Sequence, residues 1–166
     1  MPSMDLFNIV AGLASIGGGA FSLWQALEAK KAAENAKEIE RNISHHRETS
    51  DISRLKEKAD ALTSEIGIYG PGANLTRYST ADHGKNSEMI QDFILKVTEF
   101  QGCFKPPTKT QILALVSDVE TELRIFNSAG IDESSRKESG RKILSKVNMM
   151  NSRFKSVLDK KIERGS

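Results

Sequence analysis

The residues of this chain best suited to nucleophilic or metal chemistry are three histidines and a single cysteine, and their spacing sets none of them to that work. His45 and His46 are neighbours, so on a helix their rings point about 100 degrees apart. The residues four positions away, Arg41, Asn42, Thr49 and Ser50, are not first-choice zinc ligands. His83 lies in a stretch rich in chain breakers and Cys103 at the end of an expected helix, and no spacing joins them as nucleophile and base. Cys103 has no partner for an intramolecular disulfide or a paired-thiol zinc site, which fits a reducing compartment. No glycine-rich phosphate loop runs into Lys and Ser or Thr, and neither a nucleophile elbow nor a zinc-protease histidine motif occurs. The expectation is a protein that is not an enzyme, with no catalytic residue, no metal and no cofactor.

The chemistry that remains is that of surfaces, and lipid comes first. Between Asp5 and Glu28 the run LFNIVAGLASIGGGAFSLWQAL carries no charge. At about 22 residues, a helix of this length matches the hydrocarbon thickness of a bilayer. Leu6, Val10, Leu13, Ile16, Phe21, Leu23, Trp24 and Leu27 are the side chains that would enter lipid, with Trp24 as an interfacial anchor. Ala11, Ser15, Gly18, Gly19, Ser22 and Ala26 recur at spacings of three and four and form a small-residue stripe. Close backbone approach along such a stripe is a main source of helix association in membranes, so a homo-oligomer is expected. Gly17-Gly18-Gly19 softens the helix, since each glycine costs about 1 kcal/mol relative to alanine in a helix interior.

The stretch before the run holds Asp5 and neither Lys nor Arg, which argues against a cleavable signal. Lys30, Lys31, Lys37, Arg41 and Arg47 follow the run, so the bias of basic residues predicts a single pass through the cell membrane, with the N-terminus outside and the C-terminal body in the cytoplasm. Two other readings stay open: a cytoplasmic protein that inserts conditionally, and a helix buried on all sides in a bundle.

A second surface is basic. The net charge is only +2, but most of the positive excess falls in residues 132 to 166. Arg141, Lys142, Lys146 and Arg153 are candidates for contact with anionic headgroups, each basic residue near such a surface contributing about 1 kcal/mol. Nucleic acid is a poorer match. The competing reading is a solvated face, because Glu133 with Lys137 and Glu138 with Lys142 have the i,i+4 spacing of helix ion pairs.

The elements that carry these residues read as helices throughout, and no strand pattern competes. A chain of 166 residues supports one compact body and an appendage. Three parts are expected: a membrane-inserting segment over 1–27, a helical stalk over 28–48 with Ala29, Ala33, Ala36, Ile39 and Ile43 on one side, and a helical bundle over 49–166. The apolar phase is lost across residues 44–50, which predicts a kink or turn with a new helix capped by Thr49 or Ser50. Ile52, Leu55, Ala59, Leu62 and Ile66 then form a seam that ends at Gly67. Residues 67–86 read as a long loop. A helix is expected from near Ser87 with Met89, Ile90, Phe93, Ile94, Val97 and Phe100 inward. Another runs over 108–127 with Ile112, Leu115, Val116, Val119, Leu123 and Phe126 inward. The last starts near Asp132 with Ile143, Val147, Met150, Phe154, Val157 and Ile162 inward. The fold class is all-α, a hydrophobic helix and stalk followed by an antiparallel helical bundle.

Met4-Asp5-Leu6-Phe7-Asn8-Ile9-Val10-Ala11-Gly12-Leu13, followed by small residues, Trp24 and Ala- and Glu-rich helix, resembles the opening of HeLo-like cell-death domains. The resemblance covers residues 4 to 66. It implies a helical bundle whose first helix is released into a membrane, with Leu6 to Leu27 as the active segment. The two functions left standing are a membrane-anchored helical interaction protein, bound to itself or to a protein partner, and a membrane-permeabilising effector that oligomerises through its first helix.

Overall fold

The computed structural model describes the backbone of residues 3–73 and 75–165, and the side chains of residues 22, 24–73 and 76–163. The described residues form five α-helices and no strand: α1 (Ser3–Ile66), α2 (Leu75–Ser79), α3 (His83–Glu99), α4 (Thr108–Phe126) and α5 (Glu133–Gly165). The chain divides into two units, residues 1–46 and 47–166.

In the first unit everything described is part of α1, and its side chains from Ser22 to Ile43 are exposed wherever they are described, including Ile39 and Ile43 of the expected stalk face. The helix needs no caps here, because Ala, Glu and Lys dominate and straight side chains lose little rotamer freedom in a helix. The turn expected across residues 44–50 is not there: these residues are helical, and neither Thr49 nor Ser50 begins a helix. With no glycine or proline in this stretch, the loss of apolar phase marks a change of environment rather than a break.

The second unit is an antiparallel bundle. Ile52, Leu55, Ala59, Leu62 and Ile66, the seam read from the sequence, are all buried. The hydrogen-bonding pairs fix the direction of each helix. Lys161 meets Glu48, Asn151 meets Asp60 and Asn148 meets Thr63, so α5 runs down as α1 runs up. Lys58 meets Asp92 and Asp51 meets Cys103, which makes α3 antiparallel to the same stretch of α1. Lys146 meets Asp118 and Lys142 meets Glu122, so α4 and α5 are antiparallel as well.

All six inward positions expected of α4 are buried, as are Ile143, Val147, Met150 and Phe154 of α5. Phe104 stacks on Phe154 with ring centroids 5.5 Å apart. Ile162 departs from the expected pattern and is 61% exposed. The core ends at Phe154, with Val157 and Leu158 partly buried against it, and α5 continues past the last layer. Asp132 caps α5, its carboxylate accepting from the Ser135 backbone N–H at 2.9 Å and from the Ser135 hydroxyl at 2.6 Å.

The stretch expected to be a loop, 67–86, is largely structured. A 3-10 turn spans Gly67–Tyr69, α2 follows, and α3 begins at His83, ahead of the expected start near Ser87. Asp82 caps α3, accepting from the Lys85 backbone N–H at 2.9 Å. Ile68, Tyr69 and Tyr78 are core residues. Burying these side chains stabilises a segment whose local sequence is poor in regular structure, and that burial outweighs propensity. Gly140 explains how the segment docks. A Cβ at that position of α5 would stand 2.5 Å from Cγ of Tyr69, so a glycine inside a helix is the condition for the Tyr69 ring to lie against it.

Candidate functional site

The sequence points to three sets of residues, and the structure treats each differently. Of the eight lipid-entering candidates, Trp24 and Leu27 are described, and each is 56% exposed. Leu6, Val10, Leu13, Ile16, Phe21 and Leu23 belong to α1, but their side chains lie outside the described residues. Of the small-residue stripe, Ser22 and Ala26 are exposed, and the side chains of Ala11 and Ser15, together with Gly18 and Gly19, fall outside the described set. Among the described residues no helix is long and apolar enough to cross a membrane.

The basic residues of α5 are held more closely than a free cationic face would be. Arg141 pairs with Glu138 at 2.9 Å, Lys142 with Glu122 of α4 at 3.2 Å, and Lys146 with Asp118 of α4. Arg153 is exposed. The i,i+4 pairs read from the sequence are replaced by others. Lys142 reaches across to α4 rather than back to Glu138, and Lys137 lies over the Tyr78 ring, 5.5 Å from its centroid. The reason is geometric: α4 presents acids at a spacing of four that matches the lysine spacing of α5 in the antiparallel direction. The Arg141 and Lys146 pairs are about half exposed, so each contributes little to stability, whereas Glu122 of the Lys142 pair is 17% exposed.

The histidines and the cysteine do not converge. His83 opens α3 and Cys103 follows its other end, which places the length of a 17-residue helix, about 25 Å, between them. The Cys103 thiol is pushed up from its ordinary value, first by burial and then by the Asp51 carboxylate, which is the opposite of nucleophile activation. Among the described residues no group of three or more metal-ligating side chains gathers.

A polar and aromatic cluster escapes the reading of the sequence. Tyr69 is fully buried, and its ring meets those of Tyr78, Phe126 and His83 at centroid distances of 5.8, 5.4 and 5.8 Å. Asn86 Nδ2 donates to Tyr69 Oη at 2.9 Å, and Oη lies 2.7 Å from His83 Nδ1. The hydroxyl can accept from Asn86 and still donate its own proton to Nδ1 of a neutral imidazole. Burial, then the Arg136 charge, hold His83 below its ordinary value, and burial pushes Tyr69 up to about 12. Tyr78 donates to the Glu133 carbonyl at 2.9 Å. The cluster fastens the 67–86 segment to α4 and α5. Its one signal in the sequence is a glycine in the middle of α5, and that signal has meaning only once Tyr69 is known to cross it.

No protein-family model matches the chain, and no curated protein and no solved structure matches it either.

Proposed function

We propose that the protein is a membrane-anchored helical interaction protein, in which Leu6 to Leu27 enters the bilayer and the 47–166 bundle is presented to a partner or to a second copy. One observation supports this reading: the uncharged run belongs to the helix α1, and among its described side chains, Ser22 and those from Trp24 to Leu27, the large apolar Trp24 and Leu27 are each 56% exposed. Such groups are stabilised by lipid. The core of the bundle, in turn, draws on residues between Ile52 and Phe154, so it has its own source of stability. Self-association through Ala11, Ser15, Gly18, Gly19, Ser22 and Ala26 belongs to the same reading.

The test is fractionation of the full chain and of the variant Leu13→Lys with Ile16→Lys. Each lysine near the centre of a span costs about 2.5–3.5 kcal/mol on insertion scales, so the wild-type chain should resist alkaline extraction from membranes and the variant should not. Equal extraction of both removes the anchor.

The glycine triplet supports a second reading, a permeabilising effector of the kind the HeLo-like resemblance implies, because a softened helix rearranges on entering lipid more readily than a stiff one. Dye release from vesicles on addition of the full chain favours the effector; stable binding without release favours the anchor.

A further inference from the structure

From the groove along α5 we infer that the bundle binds a phosphate group. The groove has a volume of about 620 Å³ and is lined by Arg141, Lys142, Ser145, Asn148 and Ser152, with Pro71, Leu144 and Met149 as its apolar part. The spacing explains how one helix supplies nearly all of it: Arg141, Ser145, Asn148 and Ser152 recur at four, three and four, which keeps them on one face. No carboxylate lines the groove. Two cations, the Ser145 hydroxyl and the Asn148 amide do, and this is a set that offers donors to an anion.

The donors are available. Arg141 gives Nη2 to Glu138, and a guanidinium has five N–H groups in a fixed fork. The Thr63 hydroxyl donates to Asn148 Oδ1 at 3.3 Å, which fixes the amide with its NH₂ side left to donate. The Ser152 hydroxyl gives its one proton to the Asn148 carbonyl at 3.0 Å, so Ser145 is the hydroxyl donor of the groove. Glu138 and Glu122 do not line the groove; Glu138 pairs with Arg141 at half-exposed positions, and Glu122, 17% exposed, pairs with the half-exposed Lys142. Both acids steady the cations without filling the space between them.

The apolar part gives the ligand a second requirement. Met149 is 48% exposed and Leu144 forms part of the core, so a phosphate carrying a hydrocarbon segment gains contact that inorganic phosphate does not. The shared chemistry is the phosphate, and its source is either a phospholipid headgroup or a free phosphate. This narrows the lipid contact read from α5 to Arg141 and Lys142, and it rests on the membrane reading only for the choice of source.

The experiment is an NMR titration of the full chain in neutral detergent, following the Ser145, Asn148 and Ser152 amides. The probes are inorganic phosphate and short-chain phosphatidic acid, and the variants are Ser145→Asp and, as a control of equal charge change at an exposed position outside the groove, Lys155→Gln. Saturable shifts at those amides with both probes support the inference with free phosphate as a sufficient ligand; shifts with phosphatidic acid alone support it with a lipid source. In either case Ser145→Asp, which places a carboxylate inside the groove, weakens binding about tenfold or more while the control binds like wild type. No saturable shift with either probe, or equal weakening in the control, overturns it. Membrane fractionation of Ser145→Asp keeps the two readings apart: it reports on Leu6 to Leu27 and is expected to be unchanged whether or not phosphate binds.

Discussion

At the scale of single residues, the buried polar contacts gather around His83, Tyr69 and Asn86. His83 Nδ1 lies 2.7 Å from the Tyr69 hydroxyl, whose oxygen accepts from Asn86, so a proton on Nδ1 takes that nitrogen away as an acceptor for the Tyr69 proton. Its folded value is held below the ordinary 6.5 by burial and by Arg136, against the smaller opposing pull of Glu133 and Asp82. The sign follows from linkage. A group that takes its proton more readily unfolded than folded gives stability that is complete above about pH 6.5 and is lost as the pH falls through its folded value. Urea unfolding at pH 7.5 and at pH 5.5 should therefore show a loss of stability on acidification, and the difference should shrink in His83→Asn. Asp60 and Asp132 are held below the ordinary 3.8 by their hydrogen bonds, and their losses of the same sign come at lower pH. Equal slopes for wild type and variant between pH 7.5 and 5.5 would show that the imidazole is not the titrating group.

At the scale of elements, the apolar period decides what is legible. The seam from Ile52 to Ile66, the inward face of α4 and the inward face of α5 as far as Phe154 are where the spacing puts them, because each is a regular stripe on a helix long enough to show it. The same period misleads where a helix changes surroundings. Across residues 44–50 the stripe slips, yet the backbone stays helical, since nothing there lacks an amide proton or a Cβ. The 67–86 segment fails for the opposite reason: its core side chains, Ile68, Tyr69 and Tyr78, are separated by Gly70-Pro71-Gly72 and follow no period, so their order comes from tertiary burial and hydrogen bonds rather than from a local pattern. The partners of Lys142 and Lys146 were illegible because the register of α4 against α5 is a property of the assembled bundle. A pair of substitutions separates the two parts of α1. Leu55→Ala removes a fully buried side chain and should cost about 2–5 kcal/mol, whereas Ile39→Ala, at a position 59% exposed, should stay within about 0.5 kcal/mol. Thermal and urea unfolding of the bundle read both, and a large loss at Ile39 would mean that the first unit has a partner that stabilises it.

At the scale of the whole molecule, the proposal to test is that copies of the chain come together through the small-residue stripe of the first unit. In water an apolar stripe drives association by leaving solvent. In lipid that gain is absent, and close contact of backbones at small residues takes its place. Gly18 and Gly19 are the smallest members of the stripe that runs from Ala11 to Ala26, so a leucine at each would hold a neighbouring helix several ångströms farther away and remove most of the close contact. Leucine is also a better helix former than glycine and at least as soluble in lipid, so neither insertion nor helicity should suffer. Gly18→Leu with Gly19→Leu should therefore stay in the membrane fraction, keep the unfolding transition of the 47–166 bundle, and run as a smaller species than wild type in mild detergent. That combination distinguishes a lost helix contact from a lost anchor and from a damaged fold. An unchanged oligomer would exclude the stripe as the cause and move the search for the contact to the bundle surface, while a monomeric wild-type chain would dispose of self-association altogether and leave a binding partner of another kind as the function of the exposed body.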